Sequence, residues 1–145
     1  MRINNNESFI SIIVPYYKSK KFIKKAINSI LNKSYQKFEI LLIYDDVLKD
    51  DLSYIKKNFT NKKIKLIVNK KNLGAALSRN IAMKKSQGQF IAFLDSDDFW
   101  QKNKLEKQIK FMKDYSLDFS YTAYNILYDN KILKKNVPLK IEYKD

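Results

Sequence analysis

The chain has 145 residues, 45% of them apolar, which suits one globular domain and argues against disorder. It contains no cysteine and no histidine, so disulfide scaffolds, thiolate metal sites, ordinary zinc chemistry and histidine acid–base catalysis are excluded. The formal net charge is +14, yet of the 29 basic residues all but Arg2 and Arg79 are lysine, which disfavours nucleic-acid reading by bidentate arginine and fits diffuse attraction to an anionic membrane surface better.

Met1 to Glu7 lack an apolar signal core, and the longest apolar run, Phe9 to Tyr17, is too short to span a bilayer. The expectation is a cytoplasmic protein that at most rests on the inner face of the membrane. Phe9 to Val14 is a β-branched run that predicts a buried strand stopping at Pro15. Ser19 is a candidate N-cap for a helix in which Phe22, Ile23, Ala26, Ile27, Ile30 and Leu31 recur at helical spacing. Glu39 to Tyr44 predicts a second buried strand, Leu52 to Phe59 a short helix and Ile64 to Val68 a third strand. Leu73, Ala76, Leu77 and Ile81 share one face of a helix that starts near Gly74. Phe90 to Leu94 predicts a fourth strand, and Leu105, Ile109 and Met112 mark a further helix. Phe119 to Leu127 is aromatic and β-branched, and Asp129-Asn130-Lys131 is a turn candidate before Ile132-Leu133, which predicts a hairpin at the edge of the sheet. The tail from Lys134 carries weak signals and is expected to be loosely held.

Strands alternating with helices predict an α/β fold around a mostly parallel sheet, whose ligands bind beyond the carboxyl ends of the strands. Three strand ends carry polar groups: Pro15-Tyr16-Tyr17, Asp45-Asp46 and Asp95-Ser96-Asp97-Asp98. Five carboxylates gathered on one edge repel one another, by about 1 kcal/mol per close pair in water and about 4 at an effective dielectric of 20. A bound cation or ligand donors would relieve that repulsion, and hard oxygens suit Mg²⁺ or Mn²⁺. The plainer reading is that Asp97 or Asp98 caps the next helix and that Asp45 or Asp46 closes a turn. Near Asn72, Gly74 lets the backbone turn into a helix start, where free N–H groups favour anions. Arg79, alone in the body of a lysine-rich chain, suggests a phosphate or base contact, or else an ion pair with a neighbouring carboxylate.

Four ordered elements, Ile12-Ile-Val-Pro-Tyr-Tyr17, Ile40-Leu-Leu-Ile-Tyr-Asp-Asp46, Asn72-Leu-Gly74 with Ser78-Arg-Asn80, and Phe90-Ile-Ala-Phe-Leu-Asp-Ser-Asp-Asp98, resemble the inverting glycosyltransferases of family 2. The resemblance runs from Phe9 to about Leu133. It implies a GT-A, Rossmann-like three-layer fold and transfer of a sugar from a nucleotide-sugar donor to a glycan or lipid-linked acceptor in cell-envelope or surface polysaccharide synthesis. By position, it implies that Pro15 and Tyr17 wall the base, that one of Asp45 and Asp46 recognises it, and that Asn72, Gly74 and Arg79 line the nucleotide pocket. Asp95-Ser96-Asp97 matches the DxD motif, with Asp95 and Ser96 at the ribose side and Asp97, with Asp95, on a Mn²⁺ or Mg²⁺ ion.

Two positions depart from the family pattern. Val47-Leu48 stands where Gly-Ser is usual, and Lys18 follows Tyr17 where Asn is common. The acceptor-activating carboxylate of the family lies well beyond the DxD motif, and Glu142 and Asp145 are too near the end of the chain to serve. The expectation is therefore a single nucleotide-sugar-binding domain over 1–145 without the acceptor half, completed by a further region or a partner subunit. A non-catalytic module of the same fold and a basic nucleic-acid-binding domain are the rival readings.

Overall fold

The first strand runs further than its sequence suggests, and the reason decides where the sheet opens. In the computed structural model, which describes residues 8–129 and 131–137, β1 (Ile10–Tyr16) carries Pro15 within it. With β2 (Phe38–Tyr44), β3 (Ile64–Val68) and β4 (Phe90–Phe93) it forms a parallel sheet in the order β3-β2-β1-β4. Residues 10 and 16 of β1 bond towards β2, through Lys37 O and the Asp45 N–H, whereas Phe9 and Ile13 accept from Phe90 and Leu94 on the β4 side. Pro15 therefore faces β4. The next rung would need a residue-15 N–H donating to Leu94 O, and proline has none. β4 consequently ends at Phe93, one residue short of expectation, while β1 continues beside β2 to Tyr16.

β1 and β2 are buried along their whole length, which accounts for their unbroken apolar runs. Two right-handed crossovers in the same direction place α1 (Lys20–Leu31) and α2 (Leu52–Asn58) on one face, and the return to β4 places α3 (Gly74–Lys85) on the other. α1 buries Ile23, Ala26, Ile27 and Ile30 completely, each large side chain stabilising the fold by about 1.5–3 kcal/mol. On the α3 side Ala82 packs with Ile13, Leu41 and Ile43. Below the sheet, at the start of the strands, Gly88 lies so close to Ser11 that a Cβ would stand 2.4 Å from the Ser11 nitrogen. There Glu39 accepts from Ser11 Oγ at 2.6 Å and the Gln87 N–H at 2.9 Å, and pairs with Lys65 at 2.8 Å.

The chain divides into two compact units, Met1–Lys107 and Gln108–Asp145. The second holds most of α4 (Lys104–Asp114) and an antiparallel pair, β5 (Tyr124–Tyr128) and β6 (Lys131–Val137). The expected hairpin is present, but as a two-stranded sheet of its own instead of an addition to the edge of the parallel sheet. Its first strand is shorter than the aromatic run suggested. β6 includes part of the tail expected to be loose, whereas Asn130, Glu142 and Asp145 lie outside the described residues. No described helix is long and apolar enough to cross a membrane.

Candidate functional site

From β1 the chain winds outward to β2 and β3 and then returns past β1 to β4. Connections that leave adjacent strands in opposite directions open a crevice at their carboxyl ends, here between β1 and β4. Pro15 and Tyr17 stand on the β1 side, the first buried and the second about half exposed. Residues 95–98 stand on the β4 side. Ser19, at the N-cap position of α1, makes no capping bond with its side chain. Its Oγ instead meets Ser96 Oγ at 2.7 Å, which ties the start of α1 to the segment after β4.

At the end of β2 the two adjacent aspartates serve different partners. Asp45 turns towards α3. Its Oδ1 accepts from the Leu73 N–H at 2.9 Å and from Asn69 Nδ2 at 2.7 Å, and its Oδ2 accepts from the Gly74 N–H at 2.8 Å. Asn72 Nδ2 also donates to the Asp45 carbonyl at 3.2 Å. Gly74, at φ +78°, supplies the left-handed turn that aims these N–H groups at the carboxylate. The anion-seeking helix start inferred from the sequence is thus filled by the protein's own aspartate. Asp46, also buried, accepts the Leu48 N–H on Oδ1 at 3.1 Å. Its second oxygen has no donor among the described residues. Of the acidic pair, Asp46 is the member with an acceptor to spare.

Arg79 extends from the second turn of α3 to Asp95 and pairs with it, the ion-pair alternative weighed for this arginine. The Asp98 N–H donates to Asp95 O at 3.0 Å, which folds residues 95–98 into a tight turn. Burial, and then the charges of Asp97 and Asp95, push the Asp98 carboxyl above the usual carboxylate range. Asp97 is exposed and takes no donor among the described residues. The five carboxylates expected to converge do not form one cluster, because Asp45 is drawn to α3 and Asp95 to Arg79. Among the described residues no three acidic side chains group closely enough to hold an ion alone. Mg²⁺ and Mn²⁺ do not need such a cage when one or two carboxylates are joined by phosphate oxygens and water. Asp97, unengaged beside two further acids, fits that role, with Asp95 next to it.

The sequence reading missed one constellation. Tyr16 and Tyr44 are register partners on β1 and β2, both fully buried, with rings stacked 5.2 Å apart. Both hydroxyls donate to Asp51, that of Tyr44 at 2.6 Å. Paired tyrosines at two strand ends, followed by a fourth loop aspartate, were the available signal. Asn69 was missed as well; it links Asp45 to Ser78 Oγ at 3.0 Å.

The family model described as Glycosyl transferase family 2 matches residues 11–140. The chain is 42% identical over 139 residues to the UDP-Glc:alpha-D-GlcNAc-diphosphoundecaprenol beta-1,3-glucosyltransferase WfgD of Escherichia coli, covering 95% of this chain and 54% of that one. It is 36% identical over 128 residues to the putative teichuronic acid biosynthesis glycosyltransferase TuaG of Bacillus subtilis, covering 86% and 50%. The chain therefore spans about half the length of these relatives. Among solved structures, S. aureus TarS 1-349 in complex with UDP superposes with a TM-score of 0.66 at 30% identity, over 74% of this chain and 33% of that one. The mannosyltransferase PcManGT from Pyrobaculum calidifontis, in complex with GDP-Man and Mn²⁺, gives 0.65 at 18% identity over 85% and 36%, a likeness of fold.

Proposed function

The chain belongs to glycosyl transferase family 2, and on that premise we propose that the β1–β4 crevice binds a nucleoside diphosphate sugar for transfer to a hydroxyl acceptor. The observation that carries the reading is the division of labour at the strand ends: an Asp46 oxygen without a donor among the described residues after β2, and Arg79 with the Asp95–Asp98 turn after β4. Tyr17 and Pro15 wall the base. The spare oxygen of Asp46 accepts an imide N–H, which uracil, thymine and guanine offer and cytosine and adenine do not. Asp45, Asn72 and Gly74 act through the scaffold, fixing the start of α3 and with it Arg79. Asp95 and Ser96 face the ribose, and Arg79, shared with Asp95, lies where it can turn to a phosphate.

Mn²⁺ or Mg²⁺, held by Asp97 with Asp95, would supply Lewis-acid neutralisation of the charge that develops on the departing diphosphate. The residues of the chain hold the donor's base and ribose and orient its diphosphate, while the acceptor hydroxyl displaces it with inversion. The names of WfgD and TuaG support a glycan or lipid-linked acceptor in envelope polysaccharide synthesis. A single nucleotide-sugar-binding domain, working with an acceptor-binding region or subunit at the cytoplasmic face of the membrane, completes the reading. Titration calorimetry with UDP, GDP and TDP sugars, with and without Mn²⁺, tests it. Metal-dependent binding of one of them is expected, lost in Asp97→Ala; absence of binding by all three would refute it.

A further inference from the structure

Asp51 occupies the N-cap position of α2, yet its side chain makes no bond to that helix. An aspartate there ordinarily accepts from the free N–H groups of the first turn. Instead its two oxygens accept from Tyr44 and Tyr16, one each. Burial first, and then the hydrogen bond and charge of Asp51, push both tyrosines above the usual phenol range, so they remain protonated donors. The helix start loses its natural acceptor for the sake of this contact.

What the contact holds is the loop from Asp46 to Asp51. Val47 and Leu48 are exposed within it, and Lys49 adopts the left-handed φ of +56°. No glycine shapes the loop, although a Gly-Ser turn is usual at this point in the family. The side chain of Asp46 bonds only within the loop, to Leu48 N. Among the described residues Asp51 is the loop's one side-chain tether to the sheet, and its anchors are the residues at the ends of β1 and β2.

We propose that Tyr16, Tyr44 and Asp51 form a clamp that positions base recognition, fixing the β2–α2 loop so that the spare oxygen of Asp46 meets the imide N–H of the nucleobase. All three are positioning residues, because they act through Asp46. The inference rests on the nucleotide-binding reading above and deepens it. The clamp sets selectivity between bases, while affinity for the diphosphate depends on the other wall of the crevice.

The test uses the full chain with Mn²⁺ and four ligands: UDP, GDP and CDP, with pyrophosphate as the base-free probe. Wild type is expected to prefer UDP or GDP over CDP. In Asp51→Asn that preference falls by about ten-fold, the cost of misaligning one hydrogen bond, while pyrophosphate affinity stays within two-fold. Tyr44→Phe removes a single oxygen and one of the two tethers; it shows a smaller loss in the same direction, and carries the test if Asp51→Asn fails to fold. Melting temperatures are recorded in parallel. A preference that survives in both variants, or UDP and pyrophosphate affinities that fall together, overturns the clamp and leaves the nucleotide site standing. Failure of wild type to bind any of the four removes the nucleotide reading and the clamp with it.

Discussion

Asp45→Ala is the most informative single substitution at the site. The carboxylate is 3% exposed and serves three donors: the N–H groups of Leu73 and Gly74 and the amide of Asn69. Nothing replaces it, since α3 has no acidic residue in its first turn and no side-chain cap of its own. Hydrogen bonds to a charged acceptor contribute about 1.5–3 kcal/mol each, and the favourable interaction with the helix dipole adds about 0.3–1. Leu73 and Gly74 lie near solvent, so water recovers part of the loss. A destabilisation of about 3–5 kcal/mol follows, a large fraction of the roughly 5–15 kcal/mol available to a domain. Asp45→Asn keeps an acceptor oxygen for one N–H and is expected to lose about half as much. Urea unfolding followed by circular dichroism measures both, and with a slope of about 1–3 kcal/mol per molar the alanine midpoint falls by more than 1 M. An alanine variant within 1 kcal/mol of wild type would refute the assignment of Asp45 to the start of α3.

Other perturbations read different parts of the molecule. Burial raises the Glu39 carboxyl, but Lys65, Ser11 and the Gln87 N–H outweigh it and hold the group below its ordinary 4.5. Its stabilisation is therefore present above pH 4.5 and disappears as pH falls through the lower folded value; thermal melts from pH 7 to 3 should lose that component in Glu39→Gln. Burial lowers Lys33 to about 8, and burial with the charge of Lys33 lowers Lys104 to about 8. Between about pH 8 and 10 the unfolded chain holds more protons than the folded one, so stability rises with pH there. Lys33→Met should flatten that rise in urea midpoints at pH 7.5 and 9.5, and an unchanged slope would count against it. Arg79 and Asp95 are partly exposed, so Arg79→Lys should alter stability by less than about 1 kcal/mol. Its effect on nucleotide affinity should be several-fold or more, because the planar fork is lost, and calorimetry separates the two.

Much of the parallel sheet was legible because burial on both faces leaves an unmistakable trace. Ile12 to Val14 and Ile40 to Ile43 have no polar alternation, and the helices between them keep a 3.6-residue period. The ends of β2 and β3 were legible for the same reason, since polar residues resume where they stop, whereas Pro15 concealed the true ends of β1 and β4. What could not be read was which way each polar side chain turns. Asp45 and Asp46 are chemically identical neighbours, and only the approach of Leu73 and Gly74 from a distant segment separates the one that caps α3 from the one with an oxygen to spare. Asp51 was not singled out at all, because local preference does not reveal a pair of tyrosine hydroxyls on two strands that converge on it. The hairpin was legible as a hairpin, from its turn and its β-branched run, whereas its separation from the main sheet depends on pairing that no local pattern records.

Pro15 ends the ladder between β1 and β4. Its consequence reaches beyond topology. A hydrogen-bonded edge that merely happened to be open could zip shut when empty, and a ligand would then have to reopen it at the expense of affinity. Here the missing donor is written into the covalent structure, so the split between the strands persists whether or not anything occupies it. The crevice is kept from pairing by an absence, and a ligand of the kind proposed would meet strand ends that are already apart.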